Sequence, residues 1–136
     1  MENQPPIIVS SLDLERIERL LEQEVYRRLP GIDALRHELD RATVVEPMEI
    51  PPGVVTMNST VRFRDDATGE QYELTLVYPE GRTQPDTVSV LAPIGSALLG
   101  LSVGQTIAWQ VPGGRKLLLR VLDVVRQPEA MGEYYR

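Results

Sequence analysis

The feature that most limits how this chain can fold is a change of hydrophobic period at Val44-Val45, sealed by the proline-rich bridge Glu46-Pro47-Met48-Glu49-Ile50-Pro51-Pro52-Gly53. Before it, apolar residues recur every three or four positions, the spacing of one helix face; after it they alternate by two, the spacing of a half-buried strand. Proline lacks the backbone donor a helix needs and crowds the preceding turn, so no helix crosses the bridge. The chain divides into an N-terminal segment with a short helical hairpin over 1–46, a linker over 47–53 and a strand-rich domain over 54–136.

The first helix is predicted from Ser11 to Arg28. Leu14, Ile17, Leu21 and Val25 form its apolar stripe, with Leu20 alongside, and Glu15, Arg16, Glu18, Arg19, Glu22 and Arg27 fill the other positions. Ser10 or Ser11 can accept from the free N–H groups of the first turn, while Asp13 and Glu15 place negative charge at the positive helix end. Leu29-Pro30-Gly31 breaks the pattern. Ile32, Leu35, Leu39 and Ala42 then repeat at helical spacing, with Asp33 near the start. Two short stripes joined this closely predict an antiparallel hairpin, and a helix of about 18 residues reaches only some 27 Å.

Past the bridge, VVTMNSTVRFRD and EQYELTLVYP flank the turn Asp66-Ala67-Thr68-Gly69 and predict a hairpin. Pro79 to Asp86 reads as loop, TVSVL as a short strand and IGSALLG as a short helix, with Pro93 in its first turn and Gly100 at its C-terminal cap. After a turn at Val103-Gly104-Gln105, TIAWQV and KLLLRVLDVV enclose Pro112-Gly113-Gly114 as a final hairpin. About five strands and one helix define an α+β fold built on an antiparallel sheet. Residues 127–136 show no clear regular pattern.

Composition narrows the chemistry. The 136 residues contain no cysteine and one histidine, which removes disulfides, thiolate nucleophiles, zinc ribbons and multi-histidine metal sites. No apolar run approaches the roughly 20 residues of a membrane span, and MENQPPIIVSS lacks the layout of a signal peptide, so a cytoplasmic protein without a membrane partner is expected. The net charge of −6 is uneven: residues 1–50 hold 6 arginines and 11 acidic residues, whereas 51–136 hold 8 basic and 9 acidic. With Lys116 as the one lysine there is no basic stripe for many phosphates, and stand-alone DNA or RNA binding is not expected. A protein partner suits this surface better.

Other features have plain structural readings. Pro112-Gly113-Gly114 lacks the lysine and Ser/Thr of a phosphate loop and reads as a hairpin turn. His37 lies off the Leu35/Leu39 stripe and reads as solvated. Asp65-Asp66 adjoins a turn, where aspartate carboxylates bond nearby N–H groups. Glu22, Glu24, Asp33, Glu38 and Asp40 read as a solvated acidic surface.

The run VSVLAPIGSALLGLSVG over 88–104, followed by VPGG over 111–114, is more specific. Ser89-Val90, Pro93-Ile94, Ala97-Leu98-Leu99-Gly100, Val103-Gly104 and Pro112-Gly113-Gly114 fall in the order and spacing of the C-terminal domain of the Gre transcript-cleavage factors, which this segment resembles. With its short helical part, VVTMNS, TLVYPE and the closing QPEAMGEYY, nearly the whole chain is similar to a Gre-like family of bacterial regulators of nucleoside diphosphate kinase.

The resemblance implies an FKBP-like C-terminal domain, an N-terminal antiparallel coiled coil and bacterial RNA polymerase as partner. Gre factors dock at the rim of the polymerase secondary channel and push a long coiled coil inward, where acidic tip residues help to hold magnesium. Their docking segment corresponds here to Leu91, Ala92, Pro93 and Ile94. Pro93 matches, whereas Leu91 and Ala92 stand where Gre factors commonly have Asp or Asn and Ser. The tip, with Pro30, Gly31 and Asp33, offers one carboxylate on a short finger, too little to carry a metal ligand to a buried centre. The resemblance therefore implies a regulator without catalytic residues, metal or cofactor, competing with Gre-type factors and changing nucleoside diphosphate kinase levels downstream. Two alternatives stand beside it. One is direct binding of nucleoside diphosphate kinase. The other is prolyl isomerase activity, which the FKBP-like fold also hosts but for which this chain is poor in aromatics.

Overall fold

The computed structural model describes residues 5–81, 84–110 and 116–134. It is a mixed α+β fold around a curled five-stranded sheet, with a second, two-stranded sheet and few helices.

The five-stranded sheet is built from β3 (Thr60–Asp65), β4 (Glu70–Val77), β5 (Thr87–Ser89), β6 (Thr106–Gln110) and β7 (Lys116–Arg126), following two short N-terminal strands, β1 (Ile8–Ser10) and β2 (Thr43–Val45). Its strands lie in the order β5-β4-β3-β7-β6. Period-two alternation decides its faces: Val61 and Phe63 of β3, Ile107 and Trp109 of β6, and Leu117, Leu119 and Val121 of β7 are buried. Arg62, Arg64 and Arg120 point to solvent. Phe63 sits opposite Tyr72 and Val121, and its ring stacks on Tyr72 with centroids 5.4 Å apart. The β3–β7 ladder shifts register between Thr60 and Val61 and between Arg62 and Phe63, bulges of the kind that sharpen twist and curl a sheet.

The hairpin predicted at Asp66–Gly69 is present, with the Gly69 N–H donating to the Asp65 carbonyl at 2.7 Å and Gly69 at φ +81°. β6 and β7 pair antiparallel as expected; the turn expected at Pro112-Gly113-Gly114 lies outside the described residues. The sheet is not antiparallel throughout. β5 runs parallel to β4, Thr75 opposite Thr87 and Val77 opposite Ser89, because the connection after Val77 carries the chain back to the start of that stretch before β5 begins. The strand expected from Val54 also starts later, at Thr60. Residues 54–59 form a loop in which Asn58 adopts φ +68°.

The helical part departs further from expectation. In place of one helix over Ser11–Arg28 there are two: α1 (Ser11–Leu21) and a single turn, α2 (Glu24–Arg27), separated by Gln23 in extended conformation. Packing explains the break. Helices this short persist mainly through burial of an apolar face. Leu20 and Leu21 are buried, but Val25 is 70% exposed, with nothing over it to hold the helix straight. α1 alone is about 16 Å long. α3 (Ile32–Arg41) starts at Gly31, whose φ of +89° suits the sharp entry, and Arg36 donates to the Leu21 carbonyl at the end of α1 at 3.1 Å.

β1 and β2 pair in parallel, Ile8 opposite Thr43 and Val9 opposite Val44. The remaining helix, α4 (Pro93–Leu98), ends at a three-way seam. Gly100, at φ +84°, donates to the Val55 carbonyl at 2.8 Å and accepts from the Ile8 N–H at 3.1 Å. A Cβ there would lie 2.8 Å from that of Ile7. The result is one hydrophobic core shared by Ile7, Val9, Ile17 and Leu35 with Val55, Phe63, Leu98 and Leu119. The C-terminal stretch is tied down as well. Gln127 is buried and donates to the carbonyls of Pro51 at 2.9 Å and Val54 at 2.7 Å, ahead of a 3-10 turn at Glu129–Met131.

Candidate functional site

Leu91, Ala92, Pro93 and Ile94 form the corner between β5 and α4, all half-buried. Backbone and hydroxyl groups fix that corner on both sides. The Ser89 hydroxyl accepts from the Leu91 N–H at 3.1 Å and the Ser89 carbonyl from the Ala92 N–H at 3.0 Å. Ser96, buried one turn into α4, donates its hydroxyl to the Val90 carbonyl at 2.6 Å. Ala92 takes the extended conformation of a helix N-cap and Pro93 occupies the first helical positions, where its missing N–H costs nothing. Gly95 lies so close to β5 that a Cβ would run into the Ser89 carbonyl. The corner thus presents an uncharged, partly apolar surface braced by its own hydrogen bonds.

Pro30, Gly31 and Asp33 lie apart from this corner, on the α2–α3 turn, and all three are exposed. Asp33 stands in the first turn of α3, where its charge complements the helix end. The exposed Leu29 and Val25 make the tip as apolar as it is acidic. Among the described residues no group of three or more His, Asp or Glu side chains is arranged to hold a metal ion. His37 is exposed and lines a cleft of about 240 Å³ with Ala108, Trp109 and Gln110.

One acidic side chain is not where a solvated-surface reading puts it. Glu38 is only 5% exposed and is paired by Arg41, whose Nε lies 3.0 Å from its carboxylate. Its position, three residues after Leu35, turns it onto the buried face. Asp65 follows the turn reading, its carboxylate accepting from the Ala67 N–H at 3.0 Å, whereas the Asp66 carboxylate accepts from Arg120 at 3.0 Å and pairs with Arg64.

Asp13 is the group that the helical pattern hid. It shares the buried face of α1 with Ile17, Leu20 and Leu21, at spacings of four, seven and eight, so a polar residue on an apolar stripe was the available signal. Its carboxylate accepts from the Met57 N–H at 3.1 Å, while its own N–H donates to the Ser10 hydroxyl at 3.0 Å. Burial pushes its pKa up to about 6, helped by Glu129 and opposed by the Met57 N–H and Arg16. Burial also raises the phenol of Tyr78, with the nearby Asp13 charge acting in the same direction. The Tyr78 hydroxyl is sealed from solvent and faces Arg16 and Asp13. Beside it, Arg16, Arg19, Gln23 and Glu80 line an open cleft of about 320 Å³.

The described residues form a mixed α+β fold with a curled sheet and a hydrogen-bonded strand-to-helix corner. The family model "Transcription elongation factor, GreA/GreB, C-term" matches it over residues 50–126. The family model "Rnk N-terminus" matches residues 5–45. The chain is 53% identical over 133 residues, 97% of its length and 98% of the relative's, to the "Regulator of nucleoside diphosphate kinase" of Escherichia coli (strain K12). It is 35% identical over 92 residues to "Transcription elongation factor GreA" of Chlorobium phaeobacteroides, covering 57% of that protein. A solved structure, "Prokaryotic transcription elongation factor GreA/GreB from Nitrosomonas europaea", superposes with a TM-score of 0.70 at 53% identity, covering 90% of this chain and all of that one. This chain belongs to the Rnk family of GreA/GreB-like regulators. Its relatives carry the names of regulators and transcription factors, not of enzymes.

Proposed function

We propose that this chain is a non-catalytic cytoplasmic regulator that binds bacterial RNA polymerase near the secondary channel. In this reading residues 54–136 are an FKBP-like docking domain, residues 47–53 a linker, and residues 1–46 carry a short helical hairpin. Leu91, Ala92, Pro93 and Ile94 make the contact. Occupying the Gre site would exclude Gre-type factors, and altered nucleoside diphosphate kinase levels would follow downstream.

The observation that carries this reading is the pairing of a rigid corner at 91–94 with a finger too short for Gre chemistry. The corner is braced by Ser89, Gly95 and Ser96, so a partner meets it without an ordering cost. The finger is broken at Gln23, its first helix spans about 16 Å, and its tip offers Asp33 without a second carboxylate beside it in the turn. Such a protein can hold the site without cleaving transcripts.

The test is binding of the purified protein to RNA polymerase core with a Gre factor as competitor and transcript cleavage followed in the same reactions. The expected result is binding displaced by the Gre factor, with no cleavage of its own. Pro93→Asp, which suits a helix start but places charge in the contact, should abolish binding, and Asp33→Ala should leave it nearly unchanged. If Pro93→Asp binds like the parent, the corner is not the contact. Absence of any binding would put nucleoside diphosphate kinase forward as the direct partner, the reading that the name of the Escherichia coli relative favours.

A further inference from the structure

We propose that the groove between the start of α1, the proline-rich bridge and Tyr134 is a docking site for a basic segment of a partner protein, one that carries an arginine or lysine beside an apolar side chain. The groove encloses about 500 Å³ and is walled by Leu12 and Glu15 of α1, by Glu46, Pro47 and Met48 of the bridge, and by Tyr134. None of these belongs to the corner at 91–94 or to the turn at 30–33, so the inference stands apart from the polymerase reading.

Hydrogen bonds shape the groove from three sides. The Ser11 hydroxyl ties α1 to the bridge by donating to the Glu46 carboxylate at 3.4 Å. Pro47–Glu49 is a 3-10 turn in which the Glu49 N–H donates to the Glu46 carbonyl at 2.8 Å and the Glu46 N–H to the Glu49 carboxylate at 3.2 Å. Ile50 is buried just after that turn, while Met48 within it is 75% exposed. On the remaining side the Glu133 N–H donates to the Pro128 carbonyl at 2.8 Å and its carboxylate pairs with Arg126 at 3.4 Å, which holds the chain at Tyr134. A site formed in advance costs its partner little ordering.

The walls choose the occupant. Leu12, Pro47, Met48 and the ring of Tyr134 offer apolar surface, and unbranched Met48 can adapt to what lies on it. Among the described residues that line the groove, the charged ones are Glu15 and Glu46, both exposed, with Glu49 exposed on the same turn. Arg16 faces Asp13 and Tyr78 instead. Arg19 reaches Glu15 at 3.3 Å across open solvent, where such a pair is worth little and yields to a better one. A second copy of this chain, at net charge −6, a nucleic acid and an anionic lipid face all bring negative charge to a negative groove. A guanidinium or ammonium between the carboxylates and over the Tyr134 ring, with its stem and an apolar neighbour on Met48 and Leu12, satisfies every wall.

The experiment titrates the intact nitrogen-15-labelled chain with the peptide acetyl-Ser-Arg-Leu-Arg-Ser-amide and, separately, with acetyl-Ser-Glu-Leu-Glu-Ser-amide, and follows amide shifts by NMR. The basic peptide should give saturable shifts at residues 11–15, 46–49 and 134 with a Kd of about 1 mM or tighter, and the acidic one should give none. Glu15→Gln and Met48→Ser, both at exposed positions, should each weaken binding about fivefold, whereas Asp40→Asn, which removes the same charge from α3, should leave it unchanged. Weaker binding or none at the groove overturns the proposal. An equal response to the acidic peptide also overturns it, since the groove is then merely apolar. So does a loss with Asp40→Asn as large as with Glu15→Gln, which reduces the effect to general attraction by an acidic chain. Groove signals that shift when the chain alone is diluted assign the site to a second copy and overturn it as well. Should Glu15→Gln fail to fold, Met48→Ser and the contrast between the two peptides decide the matter.

Discussion

Helices α1 and α3 and the five-stranded sheet each bury one face, but they bury different kinds of group. The sheet turns Val61, Phe63, Ile107, Trp109, Leu117 and Leu119 inward and leaves its arginines outside. Its buried carboxylate, Asp65, sits at a strand end and is spent on a turn N–H. The helices place Asp13 and Glu38 among Ile17, Leu20 and Leu35, on the stripe itself. Stability in the sheet is thus a matter of volume and register, whereas in the helical part it also depends on how charge is compensated. A binding surface that must keep its shape is better built on the first.

The strongest way to break this comparison is at the sheet. Phe63→Ala removes a fully buried ring stacked on Tyr72 and should cost about 4 kcal/mol in urea unfolding, with the same loss at pH 5.0 and 7.5. Gly95→Ala forces a methyl against the Ser89 carbonyl; calorimetry should show a loss of about 3 kcal/mol, and the corner at 91–94 should shift with it. A loss near zero would mean that α4 can slide on β5 and that the corner is not rigid. On the helical side the effects are smaller. Ser10→Ala deletes the N-cap acceptor of α1 and should cost about 1 kcal/mol by thermal melting, since the Asp13 N–H loses its partner. Val25→Ser, at an exposed site beyond the break in the helix, should leave the unfolding free energy from thermal melting unchanged to within about 0.5 kcal/mol. A larger loss there would revive the continuous first helix.

How much of this was legible from the residues differs between the halves for the same physical reason. Period-two alternation at Val61 and Phe63, the Asp66–Gly69 turn, and the Pro93 start and Gly100 stop of α4 are local signals, and the structure follows them. The parallel partners are not local. Ile8–Ser10 is three residues long and finds Thr43–Val45 only across the whole helical part, and β5 finds β4 only after a crossover. The helix break at Gln23 depends on what covers Val25, and nothing in the stripe Leu14, Ile17, Leu21, Val25 says that nothing does. The residues at 91–94 were singled out through resemblance, and the geometry adds how they are held. Asp13 was visible as a helix-start acid, but its burial depends on Met57, Tyr78 and Glu129, which the sequence does not bring near it.

The seam at Gly100 also orders events in time. Residues 7–10 are made early on the ribosome, yet their hydrogen-bonding partners, Thr43 and above all Gly100, follow much later. Until α4 has emerged and turned at Gly100, this stretch has only half of its place to go. A stretch made well before its partners therefore docks only when they arrive, and closing such sequence-distant contacts is entropically costly. During that wait Ile7 and Val9, which end among the most deeply enclosed side chains, are in reach of chaperones and proteases.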